Sequence, residues 1–323
     1  MKYLTPLSET HIEVATRDGF GQGLLELGKN NQNVVALTAD LTESTRVEAF
    51  AKAYPERFIE VGVAEQNMAG IAAGLALGGK IPFMASYAVF SPGRNWDQIR
   101  VSICYSDLNV KIVGAHAGLT VGPDGATHQA LEDIAITRVL PNMTVIVPAD
   151  SIEARKATLA LANHIGPAYL RLGRSKVSVI TSEKTPFEIG KALKLTAGDD
   201  VTIFACGVMV ATALKAAKQL DGKVSVAVIN LHTIKPIDST AIIESAKATG
   251  AIVTAEEHQV AGGMGSAVAE VVAAHHPVPI EFVGVRDTFG ESGEPDELLE
   301  HYKLGVDDVL AAVEKVMRRK NAR

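Results

Sequence analysis

Short apolar runs rich in β-branched residues recur along the first half of the chain: VVAL at 34–37, FIEVGV at 58–63, VKIVG at 110–114, TVIVP at 144–148 and AYLRL at 168–172. Segments with a helical spacing of apolar positions separate them. Strands that alternate with helices are joined by crossovers, which predicts a mostly parallel sheet with helices on both faces. Between 173 and 200 the rhythm gives way to a stretch rich in Lys, Ser, Thr and Gly with Pro186 near its centre. A second series follows, with VTIFAC at 201–206, VSVAVI at 224–229, AIVTA at 251–255 and PIEFV at 279–283. The chain closes on VDDVLAAVEKVMRRK, where Val306, Val309, Leu310, Val313 and Met317 share a face, acids open the helix and bases close it. The pattern predicts an α/β protein of two doubly wound domains, residues 1–180 and a smaller unit at 201–323, with a linker at 181–200.

Composition agrees with two packed cores. The chain has 323 residues, of which 47% are hydrophobic and 21% charged, the balance of a folded protein rather than a disordered one. A formal net charge of −6 without a long Lys/Arg run argues against a nucleic-acid surface, though a local basic patch for a small anion would not register in the total. No stretch of about 18 apolar residues runs unbroken, and the N-terminal MKYLTPLSETHIEVATRDGF lacks the apolar core of a signal peptide, so no membrane partner is expected. Cys104 and Cys206 lie far apart and read as reduced, buried thiols of a cytoplasmic protein.

Four stretches could carry chemistry. DGFGQG at 18–23 has three glycines but neither the G-x-G-x-x-G spacing nor a preceding strand, so a dinucleotide site is unsupported. AGGMGSAV at 261–268 opens a helix and either presents backbone amides to an anion or only permits a tight turn. HAGLTVGPDGATHQALED at 116–133 follows a strand and sets His116, Asp124 and His128 in one glycine-punctuated loop. Two imidazoles and a carboxylate there could hydrogen-bond a polyhydroxy substrate or move protons near neutral pH. Finally, FIEVGVAEQNMAGIAAGLALGG at 58–79 passes from a strand into a small-residue helix with Glu65 at the joint. Glu65 is either a helix-start acid or a functional one; Gly70, Gly74 and Gly78 behind it form a flat face suited to close approach by another backbone.

VGVAEQNM, HAGLTVGPDGATHQALED, PNMTVIVPAD and LHTIKPID together resemble transketolase, along essentially the whole chain. The resemblance covers the pyrimidine-binding and C-terminal domains. It does not extend to the family's N-terminal domain, which binds the diphosphate of thiamine diphosphate through Mg2+ at a Gly-Asp-Gly motif; the one Gly-Asp pair near that pattern, Gly198-Asp199, is followed by Asp200. The chain therefore resembles the C-terminal subunit of a split transketolase. The resemblance implies an N-terminal partner subunit carrying the Mg2+ and diphosphate contacts, an α2β2 heterotetramer, and no metal ligands in this chain.

By the same resemblance Glu65 matches the glutamate that bonds N1′ of the cofactor's aminopyrimidine, favouring the imino tautomer that takes the thiazolium C2 proton. Tyr87 and Phe90 in SYAVFSPGRNWDQIR match aromatics that pack on the pyrimidine, and Asp40 a position beside the cofactor. Gly93 resembles an insertion, and Arg94 stands where some relatives have a third aromatic. His116, Asp124 and His128 match the donor-sugar site; Arg17, Ser44 and Arg174 match contacts to the sugar phosphate. The implied activity is transfer of a two-carbon glycolaldehyde unit from a ketose phosphate to an aldose phosphate. Rival expectations are the corresponding half of a 1-deoxyxylulose-5-phosphate synthase or of a 2-oxo acid dehydrogenase, a scaffold subunit without chemistry, and a nucleotide-dependent oxidoreductase.

Overall fold

A computed structural model describes residues 12–322, to which every structural statement below refers. Its strands, in chain order, are β1 (Glu13–Ala15), β2 (Val34–Thr38), β3 (Phe58–Glu60), β4 (Ile81–Tyr87), β5 (Lys111–Ala115), β6 (Thr144–Ile146), β7 (Ala168–Arg171), β8 (Lys176–Ser178), β9 (Leu193–Thr196), β10 (Val201–Ala205), β11 (Val226–Asn230), β12 (Thr233–Lys235), β13 (Ile252–Gln259) and β14 (Ile280–Val285). Seven of them form one sheet in the order β12-β6-β7-β5-β4-β2-β3, and five form a second in the order β14-β13-β10-β11-β9. Each sheet is parallel except at one edge, where β12 and β9 run antiparallel. The fold class is thus α/β with two doubly wound units, as the alternation of runs predicts.

The apolar runs are buried from both sides. Every residue of β2, β5, β10 and β11 is buried, which is why these strands read as continuous rather than alternating hydrophobic stretches. Two features cross the expected partition. β9 lies within the segment read as a linker and pairs with β11. β12 follows β11 in the chain yet joins the first sheet beside β6, so the second half of the chain closes one edge of the first. In the last helix, Val306–Asn321, the buried residues are Val309, Val313 and Val316, close to the predicted face.

Local sequence signals resolve at two glycine-rich segments. DGFGQG lies inside the helix Thr16–Asn30, and a Cβ on Gly19 would stand 1.9 Å from the carbonyl oxygen of Ser151; the segment is a close contact with the helix Ser151–Asn163, not a phosphate loop. AGGMGSAV turns into the helix Met264–His275. Its first amides are taken by the buried Glu256 carboxylate, which accepts from Met264 N at 2.6 Å and Gly265 N at 2.8 Å, so the tight-turn reading holds. Cys104 and Cys206 are both buried and free. Among the described residues no helix is long and apolar enough to cross a membrane.

Candidate functional site

The carboxyl ends of parallel strands are where such folds place ligands, and the first sheet gathers the sequence-predicted residues there. Tyr87 is the last residue of β4, His116 follows β5, and Asp40 lies two residues past β2. Asp40 and His116 both hold positive φ, 59° and 54°, as tight turns off strand ends require. Glu65 opens the helix Glu65–Leu77 that follows β3. That helix turns Met68, Ala69, Ala72 and Ala73 inward. Gly70 and Gly74 face open space on its outer side, flanked by the exposed Val63 and Leu77.

A continuous series of contacts joins most of the site. The Glu65 carboxylate, 1% exposed, accepts from Arg94 Nη1 at 2.7 Å. The same guanidinium lies over the Phe90 ring at 4.7 Å. Phe90 stacks with Tyr87 at 6.1 Å between centroids, and Tyr87 stacks on His116 at 3.9 Å. His128 meets the edges of both aromatic rings, at 5.5 Å from Phe90 and 6.1 Å from Tyr87. Arg17 Nη1 reaches His116 Nε2 at 3.1 Å and the Ser44 carbonyl oxygen at 2.8 Å. Arg174 Nη1 donates to the Val121 carbonyl oxygen at 2.8 Å.

Charge and protonation follow from this packing. An arginine nitrogen only donates, so His116 Nε2 accepts and its proton sits on Nδ1. That buried Nδ1 has no partner, and neither has Arg17 Nε. Both are directed donors of the kind a polar ligand satisfies. Burial, and then the cations Arg17, Arg174 and Arg46, push the His116 pKa down to about 3. His116 is accordingly a neutral hydrogen-bond donor beside a cluster of arginines. Its pKa is depressed, so the unfolded chain takes up a proton that the folded one refuses, and stability falls as pH drops from about 6.5 toward 3. In an NMR titration the His116 ring should stay neutral down to about pH 4; a midpoint near 6.5 would contradict the burial and charge described here.

Three predicted residues stand apart from that series: Asp124, Asp40 and Arg174, whose bond is to Val121. Asp124 ends the short helical turn Leu119–Asp124 and is exposed. Asp40 is also exposed; its amide donates to Glu60 Oε1 at 2.7 Å. Ser44 enters through its carbonyl oxygen rather than its hydroxyl.

Several structurally important residues escaped sequence reasoning. Glu60 binds the amides of Asp40 and Gly62 and the Thr42 hydroxyl, so it ties the turn after β2 to the approach to Glu65. Its signal is a carboxylate inside the apolar run FIEVGV. Glu257 Oε1 accepts from Thr120 N at 2.5 Å, so the second sheet holds the loop that follows His116. Asp133 Oδ2 accepts from Arg171 Nε at 2.8 Å and from the Tyr169 hydroxyl at 2.7 Å, all buried. An arginine within the strand AYLRL was the available hint. The ion pair of Arg94 with Glu65 had no local signal, since 29 positions separate the two residues.

Comparison with known proteins adds a consistent set of likenesses. Residues 12–179 match the family model described as transketolase, pyrimidine binding domain, and residues 190–309 match transketolase, C-terminal domain. The chain is 46% identical over 308 residues, 95% of its length and 96% of the relative's, to a 6-deoxy-6-sulfo-D-fructose transketolase subunit of Clostridium sp. (strain MSTE9). It is 45% identical over 307 residues, 94% of its length and 96% of the other's, to a Methanocaldococcus jannaschii protein provisionally named a transketolase C-terminal section. Among solved structures, a split gene transketolase described as an inactive beta4 tetramer matches with a TM-score of 0.87 and 50% identity, covering 95% of this chain and 99% of that one.

Proposed function

The chain belongs to the transketolase family as a C-terminal section of the split kind, and from that premise we propose that it is one subunit of a thiamine diphosphate-dependent enzyme that moves a two-carbon unit from a ketose phosphate to an aldose phosphate. An N-terminal subunit would hold the diphosphate and Mg2+, in an α2β2 assembly. The observation that carries this reading is the unbroken series from the buried Glu65 carboxylate through Arg94, Phe90 and Tyr87 to His116 and Arg17. One end of it suits a planar, hydrogen-bonding heterocycle, and the other an anionic, hydroxylated chain.

The residues present fit such a cofactor. A carboxylate shielded from water beside an aromatic face can share a proton with the N1′ nitrogen of an aminopyrimidine, while Tyr87 and Phe90 offer apolar surface to its ring. When bound, thiamine diphosphate supplies the nucleophilic carbon and electron sink that cleavage next to a ketose carbonyl requires. Apart from the diphosphate and Mg2+ contacts of the partner subunit, the remaining tasks fall to this chain. Glu65 holds the proton at the pyrimidine side. His116, neutral and with Nδ1–H unpaired, donates to a sugar oxygen without competing for the proton that Glu65 holds. His128, on the edge of both rings, would bond a neighbouring oxygen, and the exposed Asp124 and Asp40 would meet a sugar hydroxyl and the cofactor respectively. Arg17 and Arg174, with Ser44 beside them, offset the charge of the substrate's anionic end.

The test is reconstitution. The chain is mixed with its N-terminal partner, thiamine diphosphate and Mg2+, and transfer is followed from xylulose 5-phosphate to ribose 5-phosphate. A parallel arm uses 6-deoxy-6-sulfofructose as donor, because a relative is named for that sugar. Two-carbon transfer that needs both subunits is the expected result. A stoichiometric complex that transfers from neither donor would end the proposal.

A further inference from the structure

The Arg94 side chain is given no chemical task in the function just proposed, yet it touches two of the groups on which that function depends. It donates to Glu65 Oε2 at 2.7 Å and lies 4.7 Å from the centre of the Phe90 ring. We propose that Arg94 is a placeholder for the aminopyrimidine: its planar guanidinium makes the carboxylate hydrogen bond and the ring contact that the cofactor would make, and it leaves when the cofactor enters. The inference rests on the proposed role of Glu65 and Phe90.

Elementary electrostatics explains why a placeholder is needed. A carboxylate with 1% exposure cannot be left without a partner, since an isolated buried charge is strongly unfavourable. Arginine is suited to the task because its guanidinium is flat, donates in a fixed plane and stacks on aromatic faces. The surroundings also allow it to move. Its side chain is 48% exposed, whereas its backbone is anchored. Arg94 N donates to the Phe90 carbonyl oxygen at 2.8 Å, and the next residue is held by its buried side chain, Asn95 Nδ2 donating to the Glu65 carbonyl oxygen and to Ser91 Oγ. The side chain can thus swing into solvent while the carboxylate and the ring stay where they are.

A placeholder weakens apparent cofactor affinity by the fraction of time the site stands open. If about one molecule in ten is open, removing the placeholder tightens binding about tenfold. The experiment is calorimetric titration of thiamine diphosphate, at fixed Mg2+, into the reconstituted two-subunit complex carrying wild-type chain, Arg94→Ala or Arg94→Gln. The glutamine variant keeps a side chain beside Glu65 in case the alanine variant folds poorly. Both should lower Kd by about tenfold, and Trp96, the chain's single tryptophan, offers a fluorescence readout two residues away. In a Glu65→Gln background the same replacements should change Kd little, because the ion pair is already gone.

An unchanged or raised Kd in the Arg94 variants overturns the inference, as does an equal gain with and without Glu65. If the wild-type complex binds thiamine diphosphate and the variants do not differ from it, only the placeholder role falls. If the wild-type complex does not bind the cofactor at all, the functional reading falls first and takes this one with it.

Discussion

Replacing Glu65 with glutamine in the reconstituted enzyme should lower kcat by at least about 10², the lower end of what general acid–base catalysis contributes. Glutamine keeps the shape of the side chain and one acceptor oxygen, but it cannot hold a full negative charge or take up the pyrimidine's proton. The carboxylate is buried, stands at the first position of the helix Glu65–Leu77 and is paired with Arg94. A purely structural acid at that place interacts with the helix dipole and would be worth about 0.3–1 kcal/mol. The two roles therefore separate in a pair of measurements. The functional role predicts a large fall in kcat, whereas a structural role of that size predicts kcat near wild type and a melting temperature lowered by a few degrees at most. Turnover close to wild type in the glutamine variant would sink the assignment.

How much of this was legible beforehand follows from the range of each interaction. The alternation of apolar runs and helical segments marks the strands because parallel strands covered on both faces must be continuously hydrophobic, as β2 and β5 are. Short edge strands carry no such mark. β9 and β12 have three or four residues each, mix polar with apolar positions, and owe their pairing to neighbours far along the chain.

In the site, Glu65 and His116 were visible as polar groups at the joints between strand and helix or loop, where few buried polar residues occur without a reason. Their partners were not. The contacts Arg94 to Glu65, Arg17 to His116 and Glu257 to Thr120 span 29, 99 and 137 positions, and no local pattern encodes such pairings. The glycines show the same limit from another side. Gly19 and Gly263 both mark close approach, but only the fold reveals that one meets the Ser151 carbonyl and the other the Glu256 carboxylate.

The second large effect is expected at Asp133, outside the chemistry. Asp133→Ala should destabilise the chain by about 3–5 kcal/mol in chemical denaturation, because it leaves the Arg171 guanidinium buried without its counter-charge. The side chains of Arg171 and Asp133 are 6% and 1% exposed. Burial opposes the charged form of Arg171, yet the neighbouring acids Asp133 and Glu257 together turn the net shift of its pKa upward. The arginine also donates from Nη2 to the Ala130 and Glu257 carbonyl oxygens. It thereby ties β7 of the first sheet to the end of the His128 loop and to β13 of the second sheet. Loss of the aspartate should consequently weaken the packing of the two sheets as well as the local pair.

A loss below about 1 kcal/mol would mean that water or a neighbouring acid compensates Arg171, and that the pair is not what joins the sheets. A combined replacement, Asp133→Leu with Arg171→Met and Tyr169→Phe, distinguishes charge from packing. It removes both charges and the hydroxyl together, so it should recover most of the stability lost in Asp133→Ala. It should not recover activity to the same degree, because β7 would no longer be tied through Arg171 to the Ala130 and Glu257 carbonyl oxygens beside the His128 loop.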